Sequence, residues 1–317
     1  MTTQITAEAA GTVRLGDLEV PRLGFGAMRL PGPGVWGPPT DRDEAIRTVR
    51  RAVELGVRVI DSAWYYGLDV ANEVIAAAIR PYPDDLVLVT KLGGARAEDG
   101  TWFSGLTPEA LRAGCERDLQ VLGIEAVPVV HLRWMERAGN SADAQRQPRG
   151  AGNSADAQRQ PRGAGSSAAI TFTEALDVML DLQAQGKILR IGLSNVTAEQ
   201  VSAALARTPI VSVSNHFGPA EQSDAATLDL CAANGMAYLP FFPLGAGRAV
   251  TATGNALGAV AAKHDATPAQ VAIAWLLARS PAMLPIPGTS KVAHLEDNVA
   301  AAALRLDPDD LAMLAAS

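Results

Sequence analysis

Three apolar runs in the first half of the chain each stop on an ionisable side chain. Val59-Ile60 ends on Asp61, with the phenol of Tyr66 five residues on; Leu86 to Thr90 ends on Lys91; Val127 to Val130 ends on His131. In a sheet of parallel strands all C-terminal ends lie at one edge, so these four groups can converge although seventy residues separate Asp61 from His131. A phenol titrates near pH ~10 and becomes a useful acid near neutrality only when a cation favours its anion. Lys91 is the group to do so, Asp61 the carboxylate that keeps Lys91 charged and fixed, and His131 the donor that orients a substrate oxygen. That set suits delivery of a proton to a carbonyl oxygen. A Schiff-base role for Lys91 is the weaker reading, because its acidic neighbours favour a charged lysine.

The elements that would carry these groups follow one rhythm. Thr12 to Val20, with Gly16-Asp17 at its centre, predicts a hairpin. Strands are then expected at Leu23–Ala27, at the three runs above, at Leu189–Leu193, Ile210–Val213, Ala237–Phe241 and Met283–Ile286. Helical patterns separate them: Asp41–Leu55 capped by Thr40, Asn72–Ile79, a segment opened by Thr107-Pro108, Phe172–Gln185, one capped by Thr197, Asp224–Asn234, and two between Leu257 and Ala278. Eight alternations of strand and helix predict an α/β fold, a closed (β/α)8 TIM barrel with an N-terminal β-hairpin. A doubly wound open sheet would want a third glycine after Gly24-Phe25-Gly26 and a helix at once; a proline-rich loop follows instead.

Domain organisation is read as a single barrel over 1–317 interrupted after strand four. There AGNSADAQRQPRG at Ala138–Gly150 recurs letter for letter at Ala151–Gly163. A 13-residue tandem duplication rich in Gly, Ser, Gln and Pro cannot bury a core, so an inserted disordered loop is expected over 136–170. Pro128 removes a ladder donor just before His131, and a bulge there is expected.

Composition bounds the partners. A net charge of −7 offers no basic stripe for nucleic acid. No run of eighteen apolar residues and no signal-like amino terminus occurs, so no membrane partner and a cytoplasmic location are expected. The two cysteines, Cys115 and Cys231, fall in helical patterns and read as buried thiols. No metal site is expected, and the chain reads as a monomer with weak oligomerisation left open.

Asp61-Ser-Ala-x-x-Tyr66-Gly67, Val89-Thr90-Lys91 and Val130-His131 resemble the catalytic tetrad motifs of the aldo-keto reductases, and Gly32 to Pro39 (GPGVWGPP) resembles the bacterial pyridoxal-reductase-like branch. The resemblance spans about residues 12 to 315 without the duplication. It implies catalysis by Asp61, Tyr66, Lys91 and His131, with hydride taken from NADPH (NADH possible) and the proton from Tyr66 to a small-molecule aldehyde or ketone. An NADP(H)-binding sensor with negligible turnover is the alternative.

By the same resemblance the cofactor would lie on Gly26, Ala27, Met28 and Asp61, and on Ser194, Asn195 and Ser214 near the nicotinamide. Phe242, Pro243, Leu244, Gly245, Gly247 and Arg248 would meet the pyrophosphate, and Gly288, Thr289, Ser290, His294, Asp297 and Asn298 the adenosine end. The chain departs from the family pattern where Ser214 replaces a glutamine, and where Gly288 and His294 replace a lysine and an arginine. Trp36, Trp64, Trp102, Trp134 and Phe217 fall in expected loops or strand ends and are read as an aromatic substrate pocket.

Overall fold

The computed structural model describes residues 4–135, 170–241 and 254–315; residues 136–169, with the duplication, and 242–253 lie outside them. Eleven strands are formed among the described residues: β1 Thr12–Leu15, β2 Leu18–Pro21, β3 Phe25–Gly26, β4 Val59–Asp61, β5 Val87–Leu92, β6 Gly94–Arg96, β7 Trp102–Ser104, β8 Val129–Arg133, β9 Ile191–Ser194, β10 Ile210–Ser214 and β11 Ala237–Tyr238. The parallel sheet runs β3-β4-β5-β8-β9-β10-β11, so chain order and spatial order coincide. Sequential parallel neighbours with a helix between each pair are the signature of a barrel rather than a doubly wound sheet.

The eighth expected strand, Met283–Ile286, forms no regular ladder. Even so, it closes the ring. Leu284 N donates to Tyr238 O on one side, and Gly24 N and Gly26 N donate to Pro285 O and Pro287 O on the other. Pro285 and Pro287 have no N–H to return, which is why this seam carries hydrogen bonds without strand pairing.

The central strands are buried along their whole length, as expected for a parallel sheet covered on both faces. Inside the barrel, Val59, Val87, Val89, Val129, Val211, Leu284 and Ile286 pack under Leu15 and Val20 of the hairpin, which plugs the N-terminal end. The ion pair of Arg190 with Asp17, at 2.5 and 2.8 Å, pins the hairpin turn. The opposite end stays available for chemistry.

Outside run the helices α1 Arg42–Glu54, α2 Val70–Ile79, α3 Pro108–Leu122, α4 Phe172–Ala184, α5 Ala198–Leu205, α6 Ala225–Ala233, α7 Gly254–Lys263, α8 Pro268–Arg279, α9 Val292–Ala300 and α10 Pro308–Ala315. Thr171, Thr197 and Thr267 close capping boxes with residues three further on. α1 is capped by Asp41, whose carboxylate accepts from Glu44 N at 2.8 Å, and not by the expected Thr40. Pro128 precedes β8, the β5/β8 register runs unbroken from Val89↔Val129 to Leu92↔Leu132, and the expected bulge beside His131 is absent.

Two features escaped the pattern reading. β6 and β7 form an extra hairpin between β5 and α3, and α9 and α10 follow the eighth unit. The hairpin strands are three residues each, too short for a periodic signal.

Candidate active site

Register places the site. Asp61 pairs with Val89, Lys91 with His131, His131 with Gly192, Arg133 with Ser194, and Ser194 with Ser214. Side chains alternate along a strand, so paired residues and those two apart share a face. Asp61, Lys91, His131, Arg133, Ser194 and Ser214 therefore all belong to the same face of the sheet at its C-terminal edge. The convergence expected from sequence is met.

Lys91 Nζ bonds Asp61 Oδ2 in an ion pair that is buried on both sides, and donates to Ser62 O at 3.2 Å. The Tyr66 ring lies over this ammonium, 5.2 Å from Nζ to centroid. Beneath them Ser62 Oγ donates to Asn72 Oδ1 and Asn72 Nδ2 to Asp118 Oδ1, each at 2.7 Å, which fixes the loop carrying Tyr66. Burial pushes the Asp118 carboxyl up to about 7.

Tyr66 behaves differently from expectation. Burial raises its pKa above the ordinary phenol range, Asp61 adds to that, and Arg133 is the cation that opposes it. Lys91 is already committed to Asp61, and a neutralised pair projects little field. The resting phenol is thus firmly protonated, the form a proton donor needs.

His131 is fully buried, and burial followed by the Lys91 charge drives its pKa well below the ordinary imidazole value. It is therefore a neutral ring near pH 7. Nε2 shares a 2.8 Å bond with Ser212 Oγ, while the buried Nδ1 meets no partner among the described residues. Gly192 makes room for the ring: a Cβ there would lie 2.1 Å from His131 Cδ2.

Two cavities open at this edge. The smaller, about 20 Å³, is lined by Met28, Tyr65, Tyr66, Lys91, Trp102, Arg133 and Phe241. The larger, about 580 Å³, is bordered by Met28, Arg29, Thr289, Ser290, Lys291 and His294 among others. Met28 lines both. Gly26 and Ala27 lie just before it, and Gly288 fits only as glycine, since a Cβ there would stand 2.5 Å from Gly26 O and 3.6 Å from Arg29 Cγ. The site that lacks a lysine at 288 has Arg29 beside it instead.

Ser194 Oγ accepts from Arg133 Nη1 at 3.1 Å, Asn195 Nδ2 donates to Trp134 O at 2.6 Å, and the buried Ser214 hydroxyl has no partner among the described residues. Of the adenosine-end candidates, Asn298 is buried and Asp297 exposed on α9, and neither borders the large cavity. Phe242, Pro243, Leu244, Gly245, Gly247 and Arg248 lie outside the described residues.

The aromatic pocket shrinks on inspection. Trp102 lines the small cavity, brought there by the β6–β7 hairpin. Trp36 instead stacks on Arg96, whose guanidinium lies 5.2 Å from its ring and 4.1 Å from that of Trp102. Trp64 packs against α3 with Arg117 over its ring, Trp134 packs on Phe172, and Phe217 is fully buried between Tyr238 and Trp275. Apolar packing claimed these three rings because large aromatics bury more area than a pocket mouth offers.

Sequence reasoning missed Arg133, Ser212, Gly192, Phe241 and Arg29. Period-two alternation from His131 points to Arg133, and from Ser214 to Ser212; the other three carry no signal of their own.

This arrangement is a barrel with a carboxylate–ammonium pair under a phenol, beside a neutral imidazole, at the C-terminal edge of its sheet. The sequence pattern of the Aldo/keto reductase family matches residues 22–317, and the chain belongs to that family, oxidoreductases that act on small carbonyl compounds. It is 42% identical to pyridoxine 4-dehydrogenase of Escherichia coli, over 96% of this chain and 98% of that one. It is 33% identical to an uncharacterised oxidoreductase of Schizosaccharomyces pombe, over 98% and 90%. Among solved structures it resembles an aldo/keto reductase of Klebsiella pneumoniae crystallised with NADP and acetate, at a TM-score of 0.71 and 25% identity, covering 96% and 93%. Among the described residues no helix is long and apolar enough to cross a membrane.

Proposed function

We propose that the chain is an NADPH-dependent carbonyl reductase in which Tyr66 gives its proton to the carbonyl oxygen of a small aldehyde or ketone. The observation that carries this reading is the buried Asp61–Lys91 pair under the Tyr66 ring, at the wall of a cavity. Similar aldo/keto reductases of Klebsiella pneumoniae have been crystallised with NADP and with NADPH, and the donors here suit such a molecule. Arg29, Lys291 and His294 ring a cavity with the hydroxyls of Thr289 and Ser290, a set that matches phosphate. The unpartnered Ser214 hydroxyl, with Ser194 and Asn195 beside it, matches a carboxamide. When bound, the nicotinamide supplies the hydride.

The chain's own residues do the rest. Lys91, ion-paired with Asp61 and lying over the Tyr66 ring, fixes the phenol in place, and Arg133 at the cavity wall is the cation that favours the phenolate as Tyr66 gives up its proton. The raised pKa of Tyr66 keeps the donor loaded, and the field needed to release it grows as negative charge develops on the substrate oxygen. His131, a neutral and buried ring held by Ser212 Oγ, is the proposed group to orient that oxygen by hydrogen bonding. Trp102, Phe241 and Tyr65 keep water from the reacting atoms. The catalytic unit is proposed as one barrel spanning the chain, with 136–170 as an insertion, acting as a cytoplasmic monomer.

The test follows oxidation of NADPH, and in parallel NADH, with aromatic aldehydes, simple ketones and pyridoxal, for the native protein and Tyr66→Phe. Turnover that vanishes in the variant while cofactor binding persists supports the reading. Tight cofactor binding without turnover on any carbonyl returns the barrel to a sensor.

A further inference from the structure

Arg133 is a buried cation outside the four residues above, although its charge opposes the rise in the Tyr66 pKa. It sits two residues beyond His131 on the same face of β8, is 7% exposed, and lines the small cavity with Tyr66 and Lys91. Among the described residues its five N–H donors meet one neutral acceptor, Ser194 Oγ at 3.1 Å, and its guanidinium lies 5.1 Å from the Phe241 ring. No carboxylate forms an ion pair with it among the described residues, whereas the neighbouring Lys91 is paired with Asp61.

A guanidinium withdrawn from water needs an anion and further acceptors to offset its desolvation. Arg133 has neither within the described residues, and its remaining donors border the cavity where a substrate must reach Tyr66. The cavity is otherwise lined by Met28 and the aromatic side chains Trp102, Phe241 and Tyr65, a composition that suits an aromatic substrate. Arg133 borders this cavity and not the larger one that Arg29, Lys291 and His294 surround, so its charge serves the substrate end of the site.

We propose that Arg133 is a specificity-determining residue that selects aromatic aldehydes bearing an anionic oxygen, a carboxylate or an ionised ring hydroxyl, over their neutral counterparts. The guanidinium fork takes the anion and so presents the carbonyl to Tyr66. Lys91 cannot substitute for it, being held by Asp61. This inference rests on the reductase reading above and deepens it.

The experiment compares 4-carboxybenzaldehyde with methyl 4-formylbenzoate, which has the same ring and carbonyl without the charge, as substrates with NADPH. The readout is the ratio of the two kcat/KM values. The native enzyme favours the carboxylate, and Arg133→Met lowers the ratio about 10- to 100-fold, chiefly through KM for the acid. Arg133→Lys keeps the charge without the fork and gives an intermediate ratio. NADPH affinity, read from quenching of tryptophan fluorescence, changes less than the ratio does.

A native enzyme that reduces both aldehydes equally, or favours the ester, overturns the inference and leaves the reductase reading standing. So does a ratio unmoved by Arg133→Met, or a loss of NADPH affinity as large as the loss of selectivity, which would make Arg133 a cofactor-positioning residue. Reduction of neither aldehyde, nor of any other carbonyl tried, overturns both readings. Should Arg133→Met fail to fold, the native ratio and Arg133→Lys still decide the matter.

Discussion

The two cavities at the open end of the barrel are built on opposite plans. The small one is walled largely by strand ends and their flanking residues, with its charges buried: Lys91 bonded to Asp61, Arg133 on the neutral Ser194, and the loop of Tyr66 tied down through Ser62, Asn72 and Asp118. The large one is walled by loops and the start of α9, and Lys291 and His294 there are exposed. Buried charge gives a site strong fields at fixed positions, and exposed charge gives it weak, salt-sensitive attraction. Chemistry requires the first, whereas holding a mobile polyanion requires only the second.

Breaking the buried plan should be the costliest change. Tyr66→Phe is expected to lower kcat roughly a hundred- to ten-thousand-fold with the unfolding temperature preserved. Lys91→Met should abolish turnover and also destabilise the fold by about 3–5 kcal/mol, since Asp61 is left as a buried, unpaired carboxylate. Adding Asp61→Asn should recover stability in thermal melts without recovering turnover; if the double variant melts as low as the single, the pair is not what holds this edge.

Gly192→Ala tests the same plan one layer down. Its Cβ collides with the His131 ring, so the imidazole must move, and kcat/KM is expected to fall by at least roughly tenfold with a modest loss of stability. An unchanged rate would show that His131 is not needed where it stands.

The exposed plan should yield more gently. Lys291→Ala or Arg29→Ala is expected to raise KM for NADPH by roughly tenfold, with kcat changing much less, and the penalty should shrink as salt is added. Equal effects on NADH would place these cations on a phosphate common to both cofactors.

The smallest effect concerns Asp118. Its folded pKa is raised from 3.8 to about 7, so the folded state prefers the protonated acid. Stability drawn from that preference is whole below 3.8 and is lost as pH rises to about 7. Asp118→Asn removes the titration, and its melting temperature should exceed that of the parent by a few degrees at pH 8 while the two converge at acid pH. A parent whose melting temperature does not fall over that window would contradict this.

The contrast also explains what could be read from the chain before folding. Asp61, Lys91 and His131 end apolar runs, and a parallel sheet must gather such ends, so the barrel and the meeting of these three groups at one edge were legible together. Thr107 and Thr197 at helix starts added local confirmation, and the structure caps both helices there. Aromatic residues were the opposite case: Trp64, Trp134 and Phe217 occupy loops and strand ends as Trp102 does, yet only Trp102 faces the cavity. Nothing in a tryptophan's neighbours along the chain tells packing from lining.

The sequence by itself determined which side chains end the strands, because strand periodicity and the parallel edge follow from local pattern. Only the tertiary structure decided which charges are already spent. Lys91 meets Asp61 across thirty residues and Arg133 meets Ser194 across sixty-one, and register alone assigns a carboxylate to the first cation and a neutral hydroxyl to the second. That difference, invisible in composition or spacing, fixes one cation in a buried ion pair and leaves the other with donors unspent among the described residues.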